Sequence, residues 1–315
     1  MESNFAVYTK DLVKVYDGGK VAVDKLNLEI KYNEIYGLLG KNGAGKSTTI
    51  KILTTLMNPT SGEAQVLGMD VRKRANAIRK RIGVVQQDES FDFTTVENNL
   101  KVYSMLWEVD RETAKTRINE MMDLFDLEEV RKKRAFEISG GQKKRLQVAR
   151  EFLHDMDLVF LDEPTVGMDP EMRRRVLDYI THRAHGGLTV LFTTQILEEA
   201  DYICDRIGIM VDGNIRAEGT SRFLKEKFGR LKEIHVRLSG DSNKDEKQKV
   251  VDEISSIEGI EEARLDGNSI FVLGYEISRK IAKIAMVFER HDLGIESMES
   301  SEPSLDEVFL KVVNS

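Results

Sequence analysis

Short runs of apolar residues, separated by amphipathic segments, dominate the chain up to about residue 220. The runs are brief and almost uninterrupted, as is typical of strands buried on both faces: 35–39, 82–85, 158–161 and 188–192. Segments between them have apolar residues at helical spacing, such as Ile118, Met121 and Met122. Shorter strands and turns occupy residues 5–39. This alternation predicts an α/β fold whose mainly parallel sheet is covered by helices, with some antiparallel strands.

A new pattern begins after about residue 220. Apolar strand-like runs and amphipathic helices follow one another in the order β-α-β-β-α-β, which is that of a ferredoxin-like unit. We therefore expect a large domain at 1–220, with a helical subdomain at about 91–154, and a small C-terminal α+β domain at 221–315.

Composition narrows the possible partners and compartments. The net charge of the 315-residue chain is −7 and no long basic run occurs, so we expect no nucleic-acid partner. The single cysteine, Cys204, cannot form an internal disulfide, which fits a reducing compartment. No apolar run reaches the ~20 residues that cross a bilayer, and the first residues show no signal-peptide pattern. We therefore expect a soluble chain that needs another subunit for any work at a membrane.

A glycine-rich loop separates an apolar run from a predicted helix at 46–57. Its residues match G-x-x-x-x-G-K-[ST], the pattern of a phosphate-binding loop: Gly40, Lys41, Asn42, Gly43, Ala44, Gly45, Lys46, Ser47 and Thr48. Glycines let successive backbone N–H groups point at one anion, and the helix N-terminus adds unpaired amides. Lys46 would reach the β- and γ-phosphates and the Ser47 hydroxyl would bind Mg²⁺. The loop therefore predicts a nucleotide site.

Two carboxylates, Asp162 and Glu163, follow the apolar run 158–161. Open α/β sheets bind ligands at the carboxyl ends of their strands. Asp162 would hold Mg²⁺ through water, and Glu163 would polarise the attacking water as a general base. Alternatively, both residues only cap a turn before Pro164.

A second anion-binding motif stands at another predicted helix start: Ser139, Gly140, Gly141 and Gln142. A single nucleotide site does not obviously need two such motifs. The second one therefore suggests contact with a nucleotide that another chain holds.

In this order and spacing, residues 40–47, 139–142 and 158–163 resemble the ATP-binding subunits of ABC transporters. The resemblance covers about residues 5–220 and implies a P-loop NTPase core that binds ATP with Mg²⁺ and hydrolyses ATP to ADP and phosphate. It also implies a head-to-tail dimer, either a homodimer or a pseudo-dimer with a similar ATPase. In such a dimer, the signature residues 139–142 of one chain contact the γ-phosphate held by the other.

The resemblance also assigns roles to residues outside these motifs. Tyr16 resembles the aromatic residue that stacks on adenine, although an exposed tyrosine at a strand end is the alternative. Gln87 resembles the glutamine that touches Mg²⁺ and the attacking water, and Gln86 beside it leaves a one-residue ambiguity. Asp169 resembles the aspartate at the dimer seam.

Gln195 departs from the family pattern. It stands where the family usually has a histidine that contacts the γ-phosphate, which makes it a candidate catalytic residue. A glutamine amide can donate a hydrogen bond, but it cannot carry a positive charge or titrate near neutral pH. We expect hydrolysis to be retained but slower.

The C-terminal residues 302–310 resemble the ending of daunorubicin-resistance-type ABC ATPases. That resemblance implies a separate polytopic ABC-2-type membrane subunit, export as the direction of transport, and a cytoplasmic location on the inner face of the cell membrane. The expected coupling surface runs from Gln87 through Phe91 and Phe93 to the helix at 95–100. Two alternatives stay open: a non-transport ABC ATPase acting in translation or on DNA, and an ATP-dependent regulator that hydrolyses slowly.

Overall fold

The computed structural model describes residues 4–87, 93–228, 232–239, 243–274, 277–301 and 304–314. It divides into two compact units, Met1–Ser221 and Arg222–Ser315. Among the expectations above, Phe91 and the tail residues Glu302 and Pro303 lie outside the described residues.

The strands of the first unit form an antiparallel sheet and a mainly parallel one. They are β1 (Phe5–Val15), β2 (Val21–Lys31), β3 (Ile35–Leu39), β4 (Ser61–Val66), β5 (Met69–Asp70), β6 (Ile82–Val85), β7 (Leu158–Asp162), β8 (Thr189–Thr193), β9 (Arg206–Val211) and β10 (Asn214–Gly219). The antiparallel sheet has the order β2-β1-β4-β5 and the other has the order β10-β9-β3-β8-β7-β6. In the second sheet every pairing from β9 to β6 is parallel, and β10 is antiparallel to β9. The predicted α/β class is confirmed.

Strand β7 is continuously apolar in sequence because both of its faces are buried. Val159 and Leu161 belong to one hydrophobic cluster, whereas Leu158 and Phe160 belong to the other. Successive side chains of a strand point to opposite faces, so both faces of β7 are covered. The polar residues that follow the apolar run therefore lie at the end of a fully buried strand.

The helices of the first unit are α1 (Lys46–Leu53), α2 (Ala75–Arg79), α3 (Val96–Leu106), α4 (Arg111–Leu124), α5 (Gly140–Glu151), α6 (Pro170–His185) and α7 (Leu197–Ile203), with short 3₁₀ turns at Glu128–Val130 and Ala135–Glu137. Side chains that accept a backbone N–H cap four of them: Thr95, Asp110, Ser139 and Asp169. These caps satisfy amides that a helix N-terminus leaves without partners.

Helix α1 ends earlier than the sequence pattern predicts. The prediction ran to Met57, but the helix ends at Leu53. Thr55 has a left-handed φ of 62°, and the amides of Leu56 and Met57 both donate to the Lys51 carbonyl. The prediction was wrong because this turn closes the helix while apolar residues continue in the sequence.

The second unit contains α8 (Ser221–Phe228), whose first residue still belongs to the first unit. It continues with β11 (Lys232–Leu238), α9 (Lys244–Ser255), β12 (Ile260–Asp266), β13 (Ser269–Gly274), a 3₁₀ turn at Ile277–Arg279, α10 (Ile281–Arg290), β14 (Ile295–Ser301) and α11 (Leu305–Asn314). Its sheet has the order β12-β13-β11-β14 with antiparallel pairings. The ferredoxin-like classification stays a prediction. Across the described ranges, no helix is both long and apolar enough to span a membrane.

Candidate functional site

The phosphate loop joins the end of β3 to the start of α1. Gly43 and Gly45 have φ values of 87° and 110°, which are strained for any residue with a side chain. A Cβ on Gly45 would also lie 2.3 Å from the Ala22 carbonyl oxygen. Glycine is therefore required at position 45 both by its backbone conformation and by the close approach of β2.

Lys46 lies folded against the loop that precedes it. Its Nζ donates to the Gly40 carbonyl at 2.6 Å and lies 3.3 Å from the Lys41 carbonyl. Burial lowers the pKa of Lys46, and the nearby Glu163 and Asp162 carboxylates oppose that shift. An anion in the loop would offer this ammonium group a charged partner in place of neutral carbonyl oxygens.

Asp162 ends β7 with both of its oxygens engaged. The Ser47 hydroxyl donates to Oδ2 at 3.1 Å, and the Thr193 hydroxyl donates to Oδ1 at 2.5 Å. A small pocket of about 50 Å³ has Ser47, Asp162, Gln86 and Gln87 among its lining residues. The structure thus brings together the three residues that the sequence assigned to Mg²⁺: Ser47, Gln87 and Asp162. Because both glutamines line the pocket, the choice between Gln86 and Gln87 stays open.

The oxygen donors around this pocket suit a hard cation that takes most of its ligands from water and substrate. A hydroxyl, a carboxylate and an amide oxygen are ligands that Mg²⁺ accepts, and it usually completes its shell with water and substrate phosphates. Among the residues that the structure describes, no group of three or more His, Cys, Asp or Glu could hold a metal ion.

Glu163 is buried and directly contacts Gln195. The Gln195 Nε2 donates to Glu163 Oε1 at 2.6 Å. Residue 163 has a left-handed φ of 52°, which is uncommon for a non-glycine residue, and its amide donates to the Thr193 carbonyl. Glu163 directly follows β7 and Gln195 follows the neighbouring strand β8. The two predicted catalytic side chains are therefore in contact.

Tyr16 lies beside the helix that follows the phosphate loop. Its hydroxyl and that of Thr48 are 3.1 Å apart, and the residue is 37% exposed. The ring is thus close to the loop while remaining partly open to solvent, as a stacking surface for a base would need to be.

The second predicted anion motif forms the start of α5. The Ser139 hydroxyl accepts the Gln142 amide at 3.2 Å, and the Gln142 side chain accepts the Ser139 amide at 3.0 Å. A Cβ on Gly141 would lie 2.5 Å from the carbonyl oxygen of Gly167, whereas one on Gly140 would meet nothing within 4 Å. The motif therefore packs directly on the turn at Gly167.

Asp169 caps α6 just after that turn. Its carboxylate accepts the Met172 amide at 2.9 Å, and this hydrogen bond lowers the pKa of Asp169. The first turn of α5 therefore packs on Gly167, two residues before the Asp169 cap of α6, so the N-termini of the two helices are neighbours.

Sequence reasoning missed several polar residues that organise the site. Thr193, Thr165, Thr194 and Glu199 are buried and hydrogen-bonded next to Asp162, Glu163 or Gln195. Lys144 of α5 donates to the Gln86 carbonyl at 2.9 Å. The sequence did contain one indication: Thr193 and Thr194 directly follow the apolar run 188–192. Polar residues at such a buried position need hydrogen-bond partners.

Comparisons with known proteins identify relatives of the whole chain. The family model described as ABC transporter matches residues 23–166. The chain is similar to the daunorubicin/doxorubicin resistance ATP-binding protein DrrA of Streptomyces peucetius, at 37% identity over 306 residues, 97% of this chain and 91% of that protein.

Solved structures match over about the length of the first unit. One is an ATP-binding subunit of an ABC transporter, with a TM-score of 0.66 and 26% identity over 71% of this chain and 93% of that chain. Another is the ATP-binding cassette MJ0796, a dimer in a post-hydrolysis state with ADP and Pi, with a TM-score of 0.64 and 25% identity over 68% of this chain and 98% of that chain.

Proposed function

The chain belongs to the ABC transporter family as an ATP-binding subunit that hydrolyses ATP, and on that basis we propose roles for its residues. The amides of loop 40–48 and the Lys46 ammonium bind the phosphates, and Tyr16 stacks on the adenine. Glu163 is the general base, and Gln195 donates to the γ-phosphate. The contact between Glu163 and Gln195 carries this proposal, because it brings a buried carboxylate and an amide donor together beside the phosphate loop.

In this scheme a water oxygen attacks the γ-phosphorus while its proton moves to a Glu163 carboxylate oxygen. The bond from the γ-phosphorus to the bridging oxygen breaks, and ADP leaves with that oxygen. Ser47, Asp162 and Gln87 would hold Mg²⁺, which supplies positive charge to the phosphate oxygens. Lys46→Ala should abolish ATP binding, and unchanged affinity would contradict the phosphate-loop role.

We infer that the working unit is a dimer in which residues 139–142 and Asp169 face the nucleotide of the partner chain. This arrangement is supported by the dimeric relative and by the neighbouring positions of the N-termini of α5 and α6. Glu163→Gln should slow hydrolysis and accumulate an ATP-dependent dimer, visible by size-exclusion chromatography. A protein that stays monomeric at saturating ATP and Mg²⁺ would contradict the dimer.

We further propose that a separate polytopic membrane subunit docks beside α3, with this chain on the cytoplasmic face of the membrane. The support is a groove of about 380 Å³ lined in part by Leu56, Tyr103, Trp107 and Arg150. Nearby on the sequence, Phe93 is 91% exposed. Apolar side chains held open to solvent around a groove are characteristic of interaction sites.

Co-purification tests the membrane partner directly. Co-expressed with a candidate polytopic ABC-2-type membrane protein, the chain should be retained on that protein in detergent. Phe93→Glu and Trp107→Ala should reduce retention, and Tyr202→Ala, at an exposed tyrosine on α7, is the matched control. Retention on ribosomes or DNA instead would favour the non-transport alternative. Because the relative DrrA is named for daunorubicin and doxorubicin resistance, we propose export of apolar, drug-like compounds as the direction and cargo class.

A further inference from the structure

A buried carboxylate on α7 joins three segments that surround the candidate site. Glu199 is only 3% exposed. The Thr165 hydroxyl lies 2.8 Å and 3.0 Å from its two oxygens, and the Thr194 hydroxyl donates to Oε2 at 2.5 Å. The Arg173 Nε of α6 lies 3.2 Å from Oε1. One side chain therefore holds two loops and a helix together.

The three partners of Glu199 are close in sequence to the residues proposed for catalysis. Thr165 is two residues after Glu163, and Thr194 directly precedes Gln195. Arg173 lies one turn after Asp169, the residue that caps α6. Glu199 thus fixes the chain on both sides of the 2.6 Å contact between Gln195 and Glu163.

Burying a carboxylate is costly, and exchange of a buried charged group for apolar residues is often neutral or stabilising. Stability alone therefore gives little reason for this arrangement. Hydrogen bonds to fixed carboxylate oxygens do, however, define directions and distances, and displacements of about 1 Å in an active site can cost roughly a hundredfold in rate.

We propose that Glu199 is a positioning residue for ATP hydrolysis, which sets Glu163 and Gln195 relative to each other through Thr165 and Thr194. Through Arg173 it also ties this pair to the start of α6, where Asp169 lies. The inference rests on the proposed roles of Glu163 and Gln195 and goes further, because it assigns a function to four residues that do not themselves touch the reacting groups.

Threonine-to-valine substitutions test this inference, because they remove one hydroxyl and nearly preserve shape. Thr165→Val and Thr194→Val should each lower kcat for ATP hydrolysis by about fivefold or more, since the loops lose a directional contact. The KM for ATP and the binding affinity for ATP should change by less than about twofold, because phosphate-loop contacts are intact. Thr165→Ser and Thr194→Ser should recover most of the lost kcat.

Thr181→Val is the matched control, since the Thr181 hydroxyl donates back to the Leu177 carbonyl within α6. Its kcat should equal that of the wild type. If a valine variant does not fold, Glu199→Gln replaces it, with the same expected fall of about fivefold or more.

Smaller falls in kcat, or valine and serine variants that behave alike, would overturn the positioning role. So would a kcat that falls only in step with ATP affinity. Glu163→Gln distinguishes failure of the catalytic role of Glu163 from failure of the positioning role of Glu199. If Glu163→Gln hydrolyses ATP at the wild-type rate, the proposed catalytic role fails. If Glu163→Gln is inactive while the valine variants are fully active, only the inference about Glu199 fails.

Discussion

At the scale of single residues, we expect Gln195 to limit the rate of ATP hydrolysis. Its amide already donates to Glu163, but it cannot supply a positive charge to the γ-phosphate. We predict that Gln195→His raises kcat by roughly threefold to tenfold, a gain of about 1 kcal/mol in the transition state. The variant should also acquire a dependence on pH between about 6 and 7, because histidine titrates in that range.

Steady-state hydrolysis from pH 5.5 to 8.5 would measure both effects, with ATP affinity determined separately. Gln195→Ala serves as the control, since it removes the amide donor without adding a ring and should lower kcat. A histidine variant with unchanged or reduced turnover would show that the glutamine is not what limits hydrolysis.

Gly141 supports a second prediction at this scale. A Cβ there would lie 2.5 Å from the Gly167 carbonyl oxygen, a distance that requires the start of α5 and the turn at Gly167 to move apart. Gly141→Ala should therefore lower the free energy of unfolding by about 1–3 kcal/mol, as overpacking does elsewhere. Gly140→Ala is the matched comparison because its Cβ would meet nothing within 4 Å. Equal stabilities of the two variants in urea denaturation would contradict this account.

At the scale of elements, sequence predicted well what is local. Ile118, Met121 and Met122, which are spaced as in a helix, are the buried residues of α4. Thr95 and Ser139 cap the helices that were predicted to start at them. The phosphate loop was recognisable because the spacing of its glycines and its lysine determines how the loop folds around a phosphate. The contact between Glu163 and Gln195 was not predictable, since it depends on β7 and β8 being neighbours in the sheet. Glu199 was missed for the same reason: its partners come from separate segments.

The link between α3 and α5 gives a prediction about elements. The Tyr103 hydroxyl donates to Glu151 at 2.7 Å, and burial raises the pKa of Glu151. Tyr103→Phe should lower the free energy of unfolding by about 1–3 kcal/mol, because it deprives a buried carboxylate of a donor. Tyr179→Phe loses a hydroxyl that accepts from Arg183 on the same helix, so it should lower the free energy of unfolding by less. Urea denaturation would compare the two variants. Equal losses of unfolding free energy would contradict a stabilising role of the Tyr103–Glu151 hydrogen bond.

At the scale of the whole molecule, we expect acid stability to depend on His154, a buried histidine that stacks on a partly exposed tryptophan. The His154 ring stacks on Trp107 with centroids 3.8 Å apart and planes 3° from parallel. Burial lowers the pKa of His154 to about 4, with Asp155 opposing that shift and Arg117 and Arg183 adding to it. Since an exposed histidine titrates near 6.5, the unfolded chain binds one more proton than the folded chain between these values.

The stability contributed by neutral His154 is therefore complete above pH 6.5 and is lost as the pH falls towards 4. We predict a total loss of about 3 kcal/mol, with a slope near 1.4 kcal/mol per pH unit in the middle of the window. His154→Phe keeps a ring against Trp107 and should remove that slope, whereas His185→Gln, at an exposed position of α6, should retain it. The fluorescence of Trp107, the single tryptophan of the chain, follows unfolding of this unit in urea at each pH. Identical slopes in the wild type and His154→Phe would show that protonation of this histidine does not control acid stability.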